Sequence, residues 1–309
     1  MQTILVPNDF VARLNRASAA KRFYPFDDSV IDWSVPLSSE YLYMPEELSF
    51  LYGSDVWERL SDEARSFVSR WEITQMFRNA GLGEHILNQG VLSLLWRTSQ
   101  HDPSWRFMLH EVAEECQHMA MFNQWVVLNG DIRTVGLGEH RLAWLGARFG
   151  QRLATLHPEL FWVDVLLFEA VGDDVFQRFA RNASGRIHPI LQQLGRAHVV
   201  EEARHIAFAT KWLEKSVPTL SVLKRRLLHD GAALALAGLA RRPRLFPLFW
   251  SRQLAPYMSK AEFRQAIHSP ESLAYHRTHV AEVVERLAGV GAVRRSTAAQ
   301  WGVALARTA

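Results

Sequence analysis

Residues 111–118 read EVAEECQH and residues 198–205 read HVVEEARH, each inside a long stretch whose apolar residues recur every three and four positions. That spacing marks a helix with one buried face. A glutamate and a histidine three apart on a helix share a face, so Glu115 with His118, and again Glu202 with His205, can reach a common point. Chance alone supplies about 0.8 Glu-x-x-His pairs in a chain with 13 histidines, so the count decides nothing. The surroundings decide. One helix earlier in each case stands a glutamate that an amphipathic pattern does not place there. Glu84 lies in GLGEHILNQGVLSLL, in register with Leu87, Val91 and Leu94, and Glu169 lies in FWVDVLLFEAVG among large hydrophobes. A lone buried carboxylate is expensive unless it is paired or bound to a cation. Glu84 precedes Glu115 by 31 residues and Glu169 precedes Glu202 by 33. A helix with Glu followed by a helix with Glu-x-x-His therefore occurs twice.

Punctuation places four long helices around these residues. The first spans roughly Trp57–Arg97, with a kink expected where Asn79, Gly81 and Gly83 fall. The second starts at Asp102 and Pro103, an N-cap followed by proline at the first helical position, and stops at Asn129 and Gly130. The third starts after His157 with Pro158 in its first turn and fades at Asn182–Gly185. The fourth runs from Arg186, or just after Pro189, to Ser216, and about 28 residues between the second and third leave room for a crossover and a short helix. The tail reads as further helices over Thr219–Leu239, Lys260–Ile267 and Pro270–Leu287. The first ~55 residues, with four prolines among aromatics, read as an irregular packed arm. The expected fold is all-α, a four-helix bundle core over about 57–216 with an N-terminal arm and extra C-terminal helices, in a single domain over 1–309.

Composition agrees with a globular chain: 309 residues, 48% hydrophobic, 22% charged, net charge +3. The single cysteine excludes an internal disulfide framework and a Cys-rich metal site, and suits a reducing cytoplasm. The N-terminus has no signal-peptide pattern, and AALALAGLA at Ala232–Ala240 is far shorter than the ~20 residues of a membrane span. The arginine-rich Arg241–Arg252 (RRPRLFPLFWSR), interleaved with Phe, Leu and Trp, reads as a packed turn rather than a nucleic-acid or membrane patch.

A Glu on each of two helices and Glu-x-x-His on each of two others is the ligand set of the ferritin-like di-iron carboxylate bundles, which the chain resembles. Carboxylates with imidazole suit iron or manganese, and the lack of thiolates argues against structural zinc. His198, four residues before Glu202 on the same face, adds a third histidine. With Glu84, Glu115-x-x-His118, Glu169 and His198-x-x-x-Glu202-x-x-His205, the chain resembles the p-aminobenzoate N-oxygenase (AurF-type) family. The resemblance is carried by about Glu84–Lys211. It implies that three histidines and four carboxylates hold two irons, with manganese a possible substitute, and that O2 is a co-substrate. It further implies a small amine substrate, aryl, amino-acid-derived or carrier-tethered, oxidised to hydroxylamine, nitroso or nitro product in specialised metabolism. A homodimer fed by a ferredoxin or reductase is implied too, since the chain has no flavin, nicotinamide or iron–sulfur motif.

Neighbouring residues receive plainer readings. Glu72 competes with Glu84, His85 points away from it, and Glu111 and Asp173 are candidate partners for the ligands, with Asp164 and Asp174 less so. Glu114 and Glu201 are expected to face solvent, and Cys116 to sit in the core. The same bundle serves acyl desaturases and carbon hydroxylases, whose helix Glu201–His205 also resembles; His198 argues against that reading. A tyrosyl-radical function is disfavoured because all six tyrosines lie outside the four core helices, and an iron store because such chains are shorter and more acidic.

Overall fold

The computed structural model describes residues 6–136, 141–240 and 250–303. The chain opens on a helix, α1 (Asn8–Ala20), where irregular backbone was expected. Pro7 precedes its first turn and starts it rather than breaking it. Phe10, Val11 and Leu14 then press onto the apolar core, and α1 lies against α4 and α7, defined below. The rest of the arm is irregular as expected, and is anchored through buried Ile31, Leu42, Tyr43, Met44 and Leu51. Leu42 also exchanges backbone hydrogen bonds with Arg186 and His188, the sole isolated bridge among the described residues; no strand forms there.

The expected first long helix divides in two. A short α2 (Asp55–Glu58) is capped by Ser54, and α3 (Asp62–Leu95) by Ser61, whose hydroxyl accepts from the Ala64 N–H. α3 runs unbroken through Gly81 and Gly83. α4 (Pro103–Leu128) begins at the Asp102 cap and ends at Asn129, α6 (Pro158–Arg181) ends at Asn182 in the left-handed region (φ 42°), and α7 (Pro189–Ser216) follows His188. Between α4 and α6 lies α5 (Arg141–Leu156). The tail forms α8 (Val222–Ala240), α9 (Lys260–Ala266), α10 (Pro270–Gly289) and α11 (Arg295–Gln300). Of the arginine-rich stretch, residues 241–249 lie outside the described residues, while Trp250 packs at a tilt on Phe263, 5.6 Å between ring centroids. No described helix is long and apolar enough to cross a membrane.

Two apolar clusters fix the topology. One gathers Leu87, Val91 and Leu94 of α3, Phe107 and Met108 of α4, Trp162 and Leu166 of α6, and Phe208 and Trp212 of α7. The other gathers Ile73 and Phe77, Met121 and Trp125, Phe176 and Phe179, and Ile190 and Leu194 of the same four helices. Helices α3 and α7 thus run one way, and α4 and α6 the other. α3–α4 and α6–α7 are hairpins, joined by α5, which returns the chain along the bundle. The result is an all-α, ferritin-like four-helix bundle with an N-terminal arm and extra C-terminal helices.

The α6–α7 hairpin is packed closely enough to require glycine. A Cβ at Gly195 would stand 2.5 Å from the Phe176 carbonyl oxygen and 2.9 Å from the Ala180 nitrogen, both backbone atoms that cannot step aside. Gly195→Ala is therefore expected to cost about 1–3 kcal/mol through overpacking. Equilibrium unfolding in denaturant measures this, and an unchanged midpoint would show that the hairpin tolerates the extra carbon.

Candidate metal centre

The two apolar clusters leave a level between them, about two helical turns deep, where each core helix turns a polar side chain inward. At that level stand Glu84 on α3, Glu115 and His118 on α4, Glu169 on α6, and His198, Glu202 and His205 on α7, all buried. The Glu-x-x-His and His-x-x-x-Glu-x-x-His spacings deliver this arrangement because three and four residues are close to one turn.

Their donor atoms converge. Three trios have ligand atoms within 4.8 Å of one another: Glu84, His118 and His198; Glu115, His118 and Glu202; and Glu84, Glu115 and Glu169. Glu115 lies in the middle, with Oε2 2.8 Å from His118 Nδ1 and Oε1 2.8 Å from His205 Nδ1. Glu202 Oε1 is 3.3 Å from His118 Nδ1 and 3.7 Å from His198 Nε2, and its Oε2 is 3.6 Å from His205 Nδ1. Yet both oxygens of Glu202, one each of Glu84, Glu115 and Glu169, both nitrogens of His198 and Nδ1 of His205 have no aligned hydrogen-bond partner. Buried polar atoms are almost always satisfied. So many close but unaligned donors, carboxylate and imidazole together, are a set of groups that fits one or two hard cations.

The electrostatics say the same. Burial pushes Glu84 well above the ordinary carboxylate range, and the neighbouring Glu115 charge adds to it. Glu169 is likewise raised, by burial and then by Glu202. Burial opposes ionisation of Glu115 too, but the adjacent His118 and His205 outweigh it and hold Glu115 well below that range. Burial pulls His118 and His205 down, and the surrounding glutamates reverse the sign and lift both well above the ordinary imidazole value. His198, wrapped by Phe176 at 3.6 Å and His118 at 4.3 Å between ring centroids, is driven by burial down to about 3. Four carboxyls in one dry cage share protons because they cannot all ionise without positive charge.

The model of the p-aminobenzoate N-oxygenase AurF family matches residues 6–291. The chain belongs to this family. Uncharacterized proteins of Mycobacterium bovis and Mycobacterium tuberculosis are each 28% identical to it over 272 residues, which is 85% of this chain and 77% of each relative. AurF proteins are di-iron enzymes; family membership makes this chain an oxygenase, and its buried cage brings together groups that can bind a metal.

In this member of the AurF family, two residues expected to face solvent are instead built into the cage. Glu114 and Glu201 are both buried. His118 Nε2 donates to Glu201 Oε2 at 3.0 Å and His205 Nε2 donates to Glu114 Oε2 at 2.8 Å, so each helix orients the histidine of the other. Arg204 spans the pair, 2.9 Å from Glu114 and 4.0 Å from Glu201. The doubled glutamate in EEcqH and EEarH was the available signal: the second Glu of each faces the cage and the first faces the partner helix. Such orienting partners are worth ~10–100-fold in metal affinity, so Glu114→Ala is expected to weaken iron binding by about that factor in a competition titration. Unchanged affinity would leave His205 needing no anchor.

The remaining residues sort as follows. Glu72 is buried but accepts from Ser49 and the Phe50 N–H, outside the cage. His85 is exposed and pairs with Gln89. Glu111 is buried, has no aligned partner for either oxygen, and is pushed by burial up to about 8. Asp173 accepts from Gln177 and Asp174 from Arg178, each four residues along the same helix. Asp164, half-buried, is pushed by burial up to about 7. Cys116 is exposed rather than in the core, at the rim of the α3–α4 pair, where the Asn88 amide donates to its Sγ at 3.7 Å. Tyr41 and Tyr43 pack on His188, off the cage.

Proposed function

We propose that the protein is an O2-dependent di-iron N-oxygenase that oxidises a small aryl or amino-acid-derived amine, free or carrier-bound, to a hydroxylamine, nitroso or nitro product. In this reading Glu84, Glu115, His118, Glu169, His198, Glu202 and His205 hold the two irons, for which manganese can substitute. The observation that carries it is His198. Its imidazole is buried, held neutral by its surroundings, and has both nitrogens without a hydrogen bond on a face already supplied with Glu202 and His205.

Bound there, two irons would supply the reduction of dioxygen and delivery of an oxygen atom to the amine nitrogen, with two electrons and two protons drawn from outside for each oxygen inserted. The protein's own residues do the rest. Glu201 and Glu114 hold the histidines in one tautomer and orientation. Glu84 and Glu169, each with an oxygen that no protein group holds, are the carboxylates able to change position as charge changes. The apolar clusters on both sides keep water from the reacting atoms. Electrons come from a ferredoxin or reductase, and the working form is a cytoplasmic homodimer acting in specialised metabolism.

Elemental analysis of wild type and His198→Ala tests the reading. About two irons per chain are expected in wild type, with weaker retention in the variant and amine oxidation by the reduced enzyme. Two irons indifferent to His198→Ala, with oxidation at carbon instead, would favour a hydroxylase or desaturase. No transition metal in folded, chelator-free protein would overturn the metal centre itself.

A further inference from the structure

The cage is closed at both ends by apolar clusters and within each hairpin by close packing, so a small molecule must enter at one of the two looser seams, α4–α7 or α3–α6. The α4–α7 seam is filled. Arg204, Glu114 and Glu201 bridge it, His118 and His205 are tied into that web, and α1 lies across the outside. To the cage the α3–α6 seam contributes Glu84 and Glu169; α5 packs along the outside of both helices, with Gly150 on Ile86, and beside the two carboxylates an aromatic ring fills the seam. Phe168, the residue before Glu169, reaches tip-first across to α3 and lies on Gly83, the residue before Glu84; a Cβ at Gly83 would fall inside the ring.

The same contact recurs seven residues along each helix, where Phe161 lies on Gly90 in the same way, and the comparison separates their roles. Phe161 is 3% exposed and belongs to the core, whereas Phe168 is 39% exposed although it stands beside two fully buried carboxylates. One turn further on, at Gly172, no atom lies within 4 Å of where a side chain would start, which leaves room for the Phe168 ring to swing aside. Beside α5, then, the Phe168 ring is the partly exposed group that stands over the carboxylate side of the cage.

We infer that Phe168, laid over Gly83, is the residue that admits substrate to the centre and sets the size of the molecule that reaches it. The inference rests on the metal-centre reading given above and not on the identity of the amine. It is tested on the iron-loaded, oxidised protein by stopped-flow binding of azide, a small ligand, and catechol, a flat larger one, each followed by its charge-transfer absorption. Phe168→Ala is expected to speed catechol binding about tenfold while azide changes by less than about twofold, and Phe168→Trp to slow catechol. A purely structural role would alter iron content or melting temperature without moving the ratio of the two rates. An unchanged ratio in both variants at wild-type iron content would overturn the proposal, as would loss of iron from both. A wild type that binds no iron would instead sink the metal-centre reading beneath it.

Discussion

Glu115→Ala is expected to strip the protein of both irons and to leave the iron-free chain markedly less stable. The two carboxylate oxygens face different histidines, His118 on the same helix and His205 on α7, each at 2.8 Å, and all three side chains are buried. Removing the carboxylate deletes a donor shared by both halves of the cage. It also leaves two buried imidazoles, both raised into the charged form by their glutamates, short of a counter-charge. Breaking a buried ion pair on one side typically costs about 3–5 kcal/mol. Metal analysis reads the first effect and denaturant unfolding the second. Near-wild-type iron content in Glu115→Ala would remove Glu115 from the centre. Glu115→Gln, which keeps shape but not charge, should lose iron with less disturbance to packing.

The second large effect is a pH dependence that reverses sign when iron binds. Glu84 and Glu169 hold protons well above the ordinary carboxylate range, and His118 and His205 hold theirs well above the ordinary imidazole range. Iron takes only deprotonated donors, so loading near neutrality should expel about four protons per chain and affinity should rise with pH. In the iron-free protein the same groups act oppositely. The raised histidines contribute stability that is complete below their ordinary value and is lost as pH rises through the raised one. Buried Glu84 and Glu169 begin to destabilise once pH exceeds the ordinary carboxylate range. Glu115 and Glu202 are depressed, Glu202 to about 2, so their stabilisation is lost only at strongly acid pH. The gap in melting temperature between iron-loaded and iron-free protein should therefore widen from about pH 6 to about pH 8. A constant gap would mean that the cage carboxyls and imidazoles are not the iron donors.

Much of this was legible in the chain because it depends on one helix at a time. Asp102 before Pro103, Pro158 and Pro189 mark helix starts through local backbone chemistry, and each start falls where it was expected. The seven donors converge because the Glu-x-x-His spacing and the out-of-place Glu84 and Glu169 fix positions about a helix's own axis. The first arm helix was hidden by its proline-rich surroundings, although Phe10, Val11 and Leu14 carry a helical spacing. The break before α3 was hidden too, because Trp57 and Leu60 continue the apolar rhythm across it.

What sequence determined by itself is thus the helical class, the four core helices and the set of groups able to bind metal, because these follow from periodicity and from the energy of burying charge. The tertiary structure alone decided what each helix's other faces meet. Glu114 and Cys116 flank Glu115 at about 100° to either side, and a helical wheel treats them alike. Packing sets them apart: α7 covers and pairs Glu114, while Cys116 stands at the exposed rim of the α3–α4 pair beside Asn88. The exchange of Glu114 and Glu201 between helices, and the ring of Phe168 over Gly83, are contacts between segments distant in the chain. Their partners are chosen by the way the helices cross, and no local spacing records that choice.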